Sequence, residues 1–157
     1  MSVCQRCSQV NTTTHRTCPA CLEYYRVWKA ANWKKRVLES GRTTDRKKNR
    51  YSWEDALTEA CLEKMYGDQD GRCHYCFVIM NTARRKIPCG LTLQRLNNSV
   101  GHNKGNCVLA CHKCNVNRVE KNTKKTRAFV QDRLNQVYWE EIRAEYQLLD
   151  LRAPKLK

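Results

Sequence analysis

The chain is 157 residues long and carries 30 Lys and Arg against 15 Asp and Glu, a formal net charge of +15. Such a length allows one ordinary domain, or two small ones stabilised by metal, because short segments bury too little apolar surface alone. The charge favours a polyanionic partner, most simply nucleic acid, although an acidic protein is an alternative. The sequence has neither an apolar run long enough for a membrane helix nor a basic amphipathic helix of the membrane-binding kind, and we expect no membrane partner.

Cysteine is abundant, at eleven residues, and eight of the eleven form four Cys-x-x-Cys pairs. The first ten residues, "MSVCQRCSQV", lack the hydrophobic segment of a signal peptide. Paired cysteines without an export signal predict thiolate metal sites rather than disulfides. The sequence therefore predicts an intracellular, reducing location, with the nucleus or a virion both compatible.

The first two pairs form one four-thiolate set, with ten residues between the pairs: Cys4, Cys7, Cys18 and Cys21. A span this short needs an ion to fold. We predict that residues 1–36 form a zinc ribbon or knuckle with a basic, aromatic helix. A Cys-rich tail without fixed structure and a disulfide pair are the alternatives.

Aromatic and basic residues are mixed over residues 22–36, with Tyr25, Trp28 and Trp33 near helical spacing. These rings either stack on bases or pack against the adjacent ribbon. In both cases three cations are expected to face solvent and phosphate: Lys34, Lys35 and Arg36. Residues 37–51, polar and without apolar periodicity, are predicted to be a basic linker.

A helix is predicted from Ser52 to Tyr66. Ser52 is its expected cap, Asp55 completes a capping box, and Gly67 ends it. Cys61 falls on the apolar face of this helix and is predicted to pack there rather than to bind metal.

The remaining two pairs flank 34 residues and form the second four-thiolate set: Cys73, Cys76, Cys111 and Cys114. A metal held by both pairs forces the chain between them into a compact hairpin. Within it, "FVIM", "LTLQRL" and "CVLA" are predicted strands, and "CHKCN" opens a helix. Cys89 and Cys107 are left over and are assigned to packing.

In the order and spacing of these features, residues 69–121 resemble the HNH (ββα-metal, His-Me finger) nucleases. The likeness is to the zinc-stapled branch that includes the phage recombination endonuclease VII group. Besides the two Cys pairs, it is carried by Gln94 and Arg95 on a strand, Gly101 and Asn106 in a loop, and Asn115 after the last pair. The resemblance implies a small, zinc-stabilised α+β fold, with a preceding helix and an HNH-like ββα core over residues 52–125. It also implies DNA rather than RNA as partner.

The resemblance places Asn115 at the helix ligand of a catalytic divalent ion. Gln94 stands where the strand ligand is expected to be acidic, and Asn97 replaces a second acid, since "QRLNN" stands where relatives carry "DRLDN". Amides bind Mg²⁺ more weakly than carboxylates do. Arg95 takes the position of the general base, which an arginine cannot serve at neutral pH. The resemblance thus implies weakened or lost catalysis.

His102 lies in the Gly-containing loop, where it is either a general base or a solvated turn residue. The full set of tentative catalytic residues is Gln94, Arg95, His102, Asn106 and Asn115. We expect two structural Zn²⁺ ions, and Mg²⁺ or another divalent ion only if the protein is catalytic.

Cations throughout the chain are predicted to contact nucleic acid: Lys34, Lys35, Arg36, Arg84, Arg85, Lys86, Arg95, Lys104, Lys113 and Arg118. The sequence thus predicts a nucleic-acid-binding, HNH-endonuclease-like zinc protein, either a metal-dependent endonuclease or nickase or a binding module that has lost catalysis. The alternative is a structural zinc component of a virion or ribonucleoprotein.

Residues 126–157 are predicted to form an amphipathic helix and a tail. Its apolar positions follow helical spacing: Phe129, Val130, Leu134, Val137, Tyr138, Ile142 and Tyr146. The helix either closes the core or, as the resemblance to the endonuclease VII group implies, pairs two copies in a homodimer or larger assembly.

Overall fold

The computed structural model describes residues 2–11 and 16–152, and the side chains of residues 2, 139 and 142–152 lie outside that description. The elements are β1 (Ser2–Val3), β2 (Val10–Asn11), α1 (Pro19–Ala31), α2 (Trp33–Lys47), α3 (Glu59–Asp68), β3 (Leu91–Arg95), β4 (Cys107–Cys111), α4 (His112–Val116), a 3₁₀ turn (Val119–Lys121) and α5 (Lys124–Arg152). The predicted small α+β fold, with an N-terminal knuckle, a ββα unit and a long C-terminal helix, is confirmed.

The antiparallel pair β3 and β4 is the centre of the core. Leu93 lies opposite Leu109 in the register. Leu109 and, on α3, Leu62 are fully buried, and burying each side chain contributes about 1.5–3 kcal/mol to folding. Because α2 packs on β3 and α3 packs on β4, the two helices are held against the sheet, and α4 follows β4 without a break.

Residues 37–47, expected to be part of a linker, are helical and belong to α2. The buried residues of this helix are Val37, Leu38, Gly41 and Asp45. Positions 37, 41 and 45 are four residues apart and so share one face of a helix. Gly and Asp are not apolar, which is why hydrophobic periodicity did not reveal the helix. The division of the chain into domains stays a prediction.

The α3 helix begins at Glu59, and the predicted start at Ser52 is wrong. Thr58 is the cap, since its hydroxyl oxygen accepts a hydrogen bond from the Cys61 N–H at 3.3 Å. Trp53, expected on the apolar face, is 76% exposed. A threonine directly before the helix satisfied the capping requirement that the sequence analysis had assigned to Ser52.

The predicted strand "FVIM" is a turn. Phe77 has a φ of +56° and its N–H donates to the Cys73 carbonyl at 3.0 Å, which closes the loop around the first thiolate pair. Only Ile79 makes a bridge, to Arg72. Phe77 and Ile79 are exposed, whereas Val78 and Met80, which alternate with them, pack on the core. The segment does not extend as a fully buried strand because Phe77, at positive φ, closes a tight turn.

The N-terminal aromatic residues divide between two surroundings. Trp33 packs against Tyr66 of α3, with ring centroids 5.2 Å apart. On α1, which has no buried residue, Tyr25 lies beneath the Arg6 guanidinium at 3.5 Å and Trp28 is exposed. Trp33 therefore packs inside the fold, as one of the two predicted alternatives holds, whereas the aromatic side chains of α1 lie at the protein surface.

The α5 helix closes part of the core at its beginning. Phe129 and Val130 pack against the buried cluster, and Val137 is itself buried. The side chains of Ile142 and Tyr146 lie outside the described residues, so homodimer formation through this helix stays a prediction. Across the helices that the structure describes, none combines the length and hydropathy needed to cross a membrane.

Candidate functional site

The second set of paired cysteines converges on one point. The four sulfur atoms lie within 4.8 Å of one another, and the sulfurs of Cys76 and Cys111 are 3.7 Å apart. Tetrahedral zinc with Zn–S bonds of about 2.3 Å requires an S···S separation of about 3.8 Å, whereas a disulfide requires about 2.05 Å. The geometry fits a zinc ion bound by Cys73, Cys76, Cys111 and Cys114, all of them buried.

Backbone amides and neighbouring thiols form hydrogen bonds with these sulfurs and shift the pKa values of the cysteines. The Cys111 N–H donates to Cys73 Sγ at 3.2 Å, and the Cys114 N–H donates to Cys111 Sγ at 3.5 Å. Hydrogen bonds from the Cys111 and Cys114 thiols hold the pKa of Cys73 far below its ordinary value. Contacts with the Cys111 and Cys73 thiols raise the pKa of Cys114. The cluster therefore contains at least one cysteine that readily loses its proton, and zinc binds cysteine as the thiolate.

The N-terminal set has the same geometry. Its four sulfurs also lie within 4.8 Å of one another, with those of Cys7 and Cys18 3.7 Å apart. The Cys18 N–H donates to Cys4 Sγ at 3.3 Å, and this bond is the main cause that lowers the pKa of Cys4 to about 6. The cluster of Cys4, Cys7, Cys18 and Cys21 therefore fits a second zinc ion. Cys61, Cys89 and Cys107 lie outside both clusters.

A basic cleft of about 460 Å³ lies between α2, β3, the loop of residues 96–106, and the 3₁₀ turn. Five cationic side chains line it: Arg50, Arg85, Arg95, Arg118 and Lys121. Glu120 is the one carboxylate among the described lining residues. Such a surplus of positive charge attracts phosphate.

His102 lines this cleft and is held by Asp45 of α2. The His102 backbone N–H donates to Asp45 Oδ2 at 2.6 Å, and Nδ1 of the imidazole lies 3.0 Å from the same oxygen. A carboxylate only accepts hydrogen bonds, so Nδ1 carries the proton and Nε2 keeps its lone pair. Asp45 is 1% exposed. The arrangement orients a neutral imidazole whose free nitrogen is a base.

The surroundings of His102 favour the neutral form of its ring. Burial lowers the pKa of His102 most, the Arg95 and Arg50 guanidiniums lower it further, and Asp45 opposes them by raising it. Gly41 of α2 makes room for the ring, since a Cβ at that position would lie 3.2 Å from His102 Cγ. A Cβ at Gly101 would collide with the Arg50 carbonyl oxygen, which fixes the start of the His102 turn.

Asn115 and Gln94, the predicted ligands of a catalytic ion, both line the cleft. The Asn115 Nδ2 donates to Thr92 Oγ1 at 3.0 Å, and Thr92 in turn donates to the Ala110 carbonyl at 2.7 Å. Asn115 is thereby fixed to both strands of the sheet. Gln94 donates from Nε2 to the Glu120 carboxylate.

Arg95 and Asn106 hold the loop in shape. Arg95 lines the cleft, its Nη1 lies 3.9 Å from Asp45 Oδ1, and it donates to the carbonyls of Asn98 and Val100 at 3.3 Å each. Asn106 accepts from the Asn97 N–H at 2.9 Å and donates to the Gly101 carbonyl at 2.8 Å. Asn106 is not among the residues that line the cleft, and its catalytic role stays a prediction.

The predicted nucleic-acid-binding cations fall into different positions. Arg85, Arg95 and Arg118 line the cleft. Lys34 is paired with Glu63, with an N···O distance of 3.1 Å, and Arg36 donates to the Lys29 carbonyl at 2.8 Å. The remaining cations lie at the surface outside the cleft, with Lys113 half-buried: Lys35, Arg84, Lys86, Lys104 and Lys113.

Sequence reasoning missed four residues of this site: Asp45, Arg50, Glu120 and Lys121. Asp45 and Arg50 were hidden in the segment expected to be a linker. Glu120 lies five residues after Asn115, within the matched span of residues 69–121 but after the last residue that carries the motif. A signal for Asp45 existed in the sequence, since it is a lone acid among the cations of "GRTTDRKKNR".

Comparison with known proteins gives one similar structure. No protein-family model matches the chain, and neither does any curated protein. Among solved structures the chain is similar to the rare-cutting HNH restriction endonuclease PacI, at 18% sequence identity and a TM-score of 0.45, over 90% of this chain and 99% of that one. The likeness to the endonuclease VII group stays a prediction.

Proposed function

We propose that this protein hydrolyses phosphodiester bonds in nucleic acid, DNA rather than RNA, with His102 as the general base. The observation that carries the proposal is the hydrogen bond between His102 and buried Asp45, in a cleft lined by five cations. A histidine oriented by a carboxylate is a recurring device for proton abstraction. Here it stands beside side chains that bind phosphate.

The reaction needs one water molecule and one phosphodiester. His102 Nε2 takes a proton from the water, whose oxygen forms a bond to phosphorus, and the bond from phosphorus to one ester oxygen breaks. The leaving oxygen takes up a proton from solvent and becomes a hydroxyl group, the other product is a phosphate monoester, and the His102 imidazolium returns its proton to solvent. Asp45 keeps the imidazole in place and stabilises the imidazolium that forms.

The cleft cations have two roles in this scheme. Arg85 and Arg118 bind the phosphate backbone and place the scissile bond, since guanidinium groups match phosphate geometry. Arg95, close to Asp45, positions the catalytic pair and adds positive charge where negative charge develops on phosphate. An arginine at the position implied for the base thus supports the histidine.

Asn115 and Gln94 are residues that would hold a divalent cation, because hard cations prefer oxygen ligands and both side chains carry an amide oxygen at the cleft. When bound, Mg²⁺ or Mn²⁺ stabilises the leaving oxygen. The ββα unit, closed by the second zinc-capable cluster, holds both residues on its sheet and its helix.

The test is conversion of supercoiled plasmid to nicked or linear DNA with Mg²⁺, Mn²⁺ or Ni²⁺. Wild-type protein is expected to nick, and His102→Gln and Asn115→Ala to lose at least about tenfold of the rate. Ser99→Ala is the matched control, since Ser99 is exposed on the same loop and uses only its backbone N–H there. Circular dichroism and zinc content establish that each variant folds.

Other outcomes distinguish the alternatives. Salt-sensitive retention of DNA or RNA without cleavage favours a nucleic-acid-binding module that has lost catalysis. A protein that neither cleaves nor retains nucleic acid at modest salt fits the alternative of a structural zinc component. Nicking that persists in His102→Gln at the wild-type rate contradicts the assigned base.

A further inference from the structure

Gln94 leaves one polar atom without a partner at the wall of the cleft. The residue is 4% exposed, its Nε2 donates to Glu120 Oε2, and its Oε1 is buried without a hydrogen bond in the described structure. The amide cannot be turned around, because a carboxylate accepts but does not donate, so the NH₂ group must face Glu120. A buried oxygen that lacks a donor needs a partner, and an ordered water or a cation supplies one.

Three features fix the position of Glu120 beside the amide group of Gln94. The 3₁₀ turn that carries it begins after Arg118 and ends before Asn122, both in the left-handed region at φ +53° and +46°. Val119 anchors the turn, being 5% exposed, and Asn98 Nδ2 donates to Glu120 Oε1 at 2.8 Å. Each carboxylate oxygen accepts one amide hydrogen bond and keeps a further lone pair.

We propose that Glu120 and Gln94 Oε1 bind the divalent cation of this cleft, and that Glu120 supplies the negative charge that Gln94 and Asn97 lack. The inference rests on the proposed function and deepens its metal site. Hard cations are held largely by anionic oxygen, and Glu120 is the carboxylate among the described lining residues. Asn115, whose amide nitrogen is bound to Thr92, offers a third oxygen.

The donor set also indicates which cation binds. A carboxylate and amide oxygens suit Mg²⁺ or Mn²⁺, while the sulfur clusters suit zinc. The carboxylate stands on a turn after the helix, whereas the resemblance implies an acidic ligand on the strand, where Gln94 offers a neutral oxygen. The metal side of the cleft thereby carries one carboxylate, where the resemblance implies two acidic residues.

Mn²⁺ binding to the zinc-loaded protein tests the site by loss of the free Mn²⁺ electron paramagnetic resonance signal. Wild-type protein is expected to bind about one Mn²⁺, and Glu120→Gln to bind it at least about tenfold more weakly. Glu54→Gln, at an exposed position away from the cleft, is expected to bind as wild type. Wild-type affinity in Glu120→Gln overturns the inference.

A second variant, Gln94→Glu, keeps the test decisive if Glu120→Gln fails to fold. Gln94→Glu keeps Glu120 and adds a second carboxylate beside it, so Mn²⁺ is expected to bind at least about tenfold more tightly if both positions share one ion. The exchange variant, Gln94→Glu with Glu120→Gln, is expected to recover wild-type affinity. Unchanged affinity in Gln94→Glu also overturns the inference.

The experiment separates this inference from the proposed function. If Glu120→Gln loses Mn²⁺ while wild-type protein nicks no plasmid, the metal site stands and hydrolysis fails. If wild-type protein nicks plasmid while Glu120→Gln binds Mn²⁺ normally, hydrolysis stands and the role of Glu120 fails.

Discussion

His102 and Asp45 are 57 residues apart in the sequence, and Nδ1 of the one lies 3.0 Å from Oδ2 of the other. The contact joins a loop to the last turn of α2, on the face of that helix that packs on the core. The contact of Nδ1 with the carboxylate fixes the tautomer of the His102 ring. The bond from the His102 backbone N–H to the same oxygen holds the residue in place. The proposed base is thus positioned by the fold rather than by the loop.

Replacing Asp45 by Asn tests this positioning. An amide can donate as well as accept, so Nδ1 no longer has to carry the proton and the basic nitrogen is no longer defined. We expect Asp45→Asn to lower the nicking rate by about 10²–10⁴-fold, the range that general-base and triad substitutions give. Asp132→Asn on the exposed part of α5 is the control, and equal rates for the two variants would exclude Asp45 from the mechanism.

The pH dependence of nicking should report the titration of His102. Burial, Arg95 and Arg50 lower its pKa, and Asp45 opposes them, so the folded value lies below 6.5. A base must be deprotonated, so we expect the rate to rise with pH through a point below about 6.5 and then level off near neutrality. Initial rates from pH 5 to pH 8 check this expectation. An acidic limb centred above pH 6.5 contradicts it.

The same shift affects stability, with a sign that follows from linkage. Because the pKa of His102 is lowered on folding, the unfolded chain binds the proton more readily. The contribution of the neutral ring is therefore fully present above the unfolded value of about 6.5 and is lost as the pH falls through the folded value. Thermal melts of wild-type protein and of His102→Gln should converge as the pH falls across this window.

The sequence predicted the metal clusters because the spacing of the cysteines along the chain nearly determines which of them can bind one ion. Cys73 and Cys76 must lie on one turn, and only a second pair such as Cys111 and Cys114 completes a tetrahedron. The cleft was less predictable, since packing of α2 brings Asp45 to His102 and a 3₁₀ turn brings Glu120 to the cleft. A helix whose buried face contains Gly41 and Asp45 has no apolar periodicity to detect. Gln94 was identified from the motif, but only the folded structure shows that its Oε1 is buried without a hydrogen bond.

Zinc dependence should separate ligand thiols from packing thiols on one strand. Cys111 belongs to the second cluster, while Cys107, also on β4, is buried outside it and burial raises its pKa to about 12. We expect wild-type protein and Cys107→Ser to contain two zinc ions per chain, and Cys111→Ser to lose one and melt at a lower temperature. Elemental analysis with thermal melts measures both. Loss of zinc from Cys107→Ser would mean that the cluster was misassigned.

Salt dependence of nucleic-acid binding distinguishes cations that contact phosphate from cations that hold the fold. Arg118 lines the cleft and is exposed, whereas Lys34 Nζ lies 3.1 Å from Glu63. Each phosphate contact adds about 0.7–0.9 to the slope of log affinity against log salt. We therefore expect Arg118→Ala to reduce the slope by about 1 and Lys34→Ala to leave it nearly unchanged.

Fluorescence anisotropy of a labelled duplex, titrated at several salt concentrations without divalent ions, measures the two slopes. Both substitutions remove one positive charge, so a change that came from net charge alone would be equal in the two variants. A larger loss for Arg118→Ala locates the phosphate path in the cleft beside His102. A larger loss for Lys34→Ala would place that path on α2 near α3, away from the proposed base, and the assigned reaction would then have no bound substrate to act on.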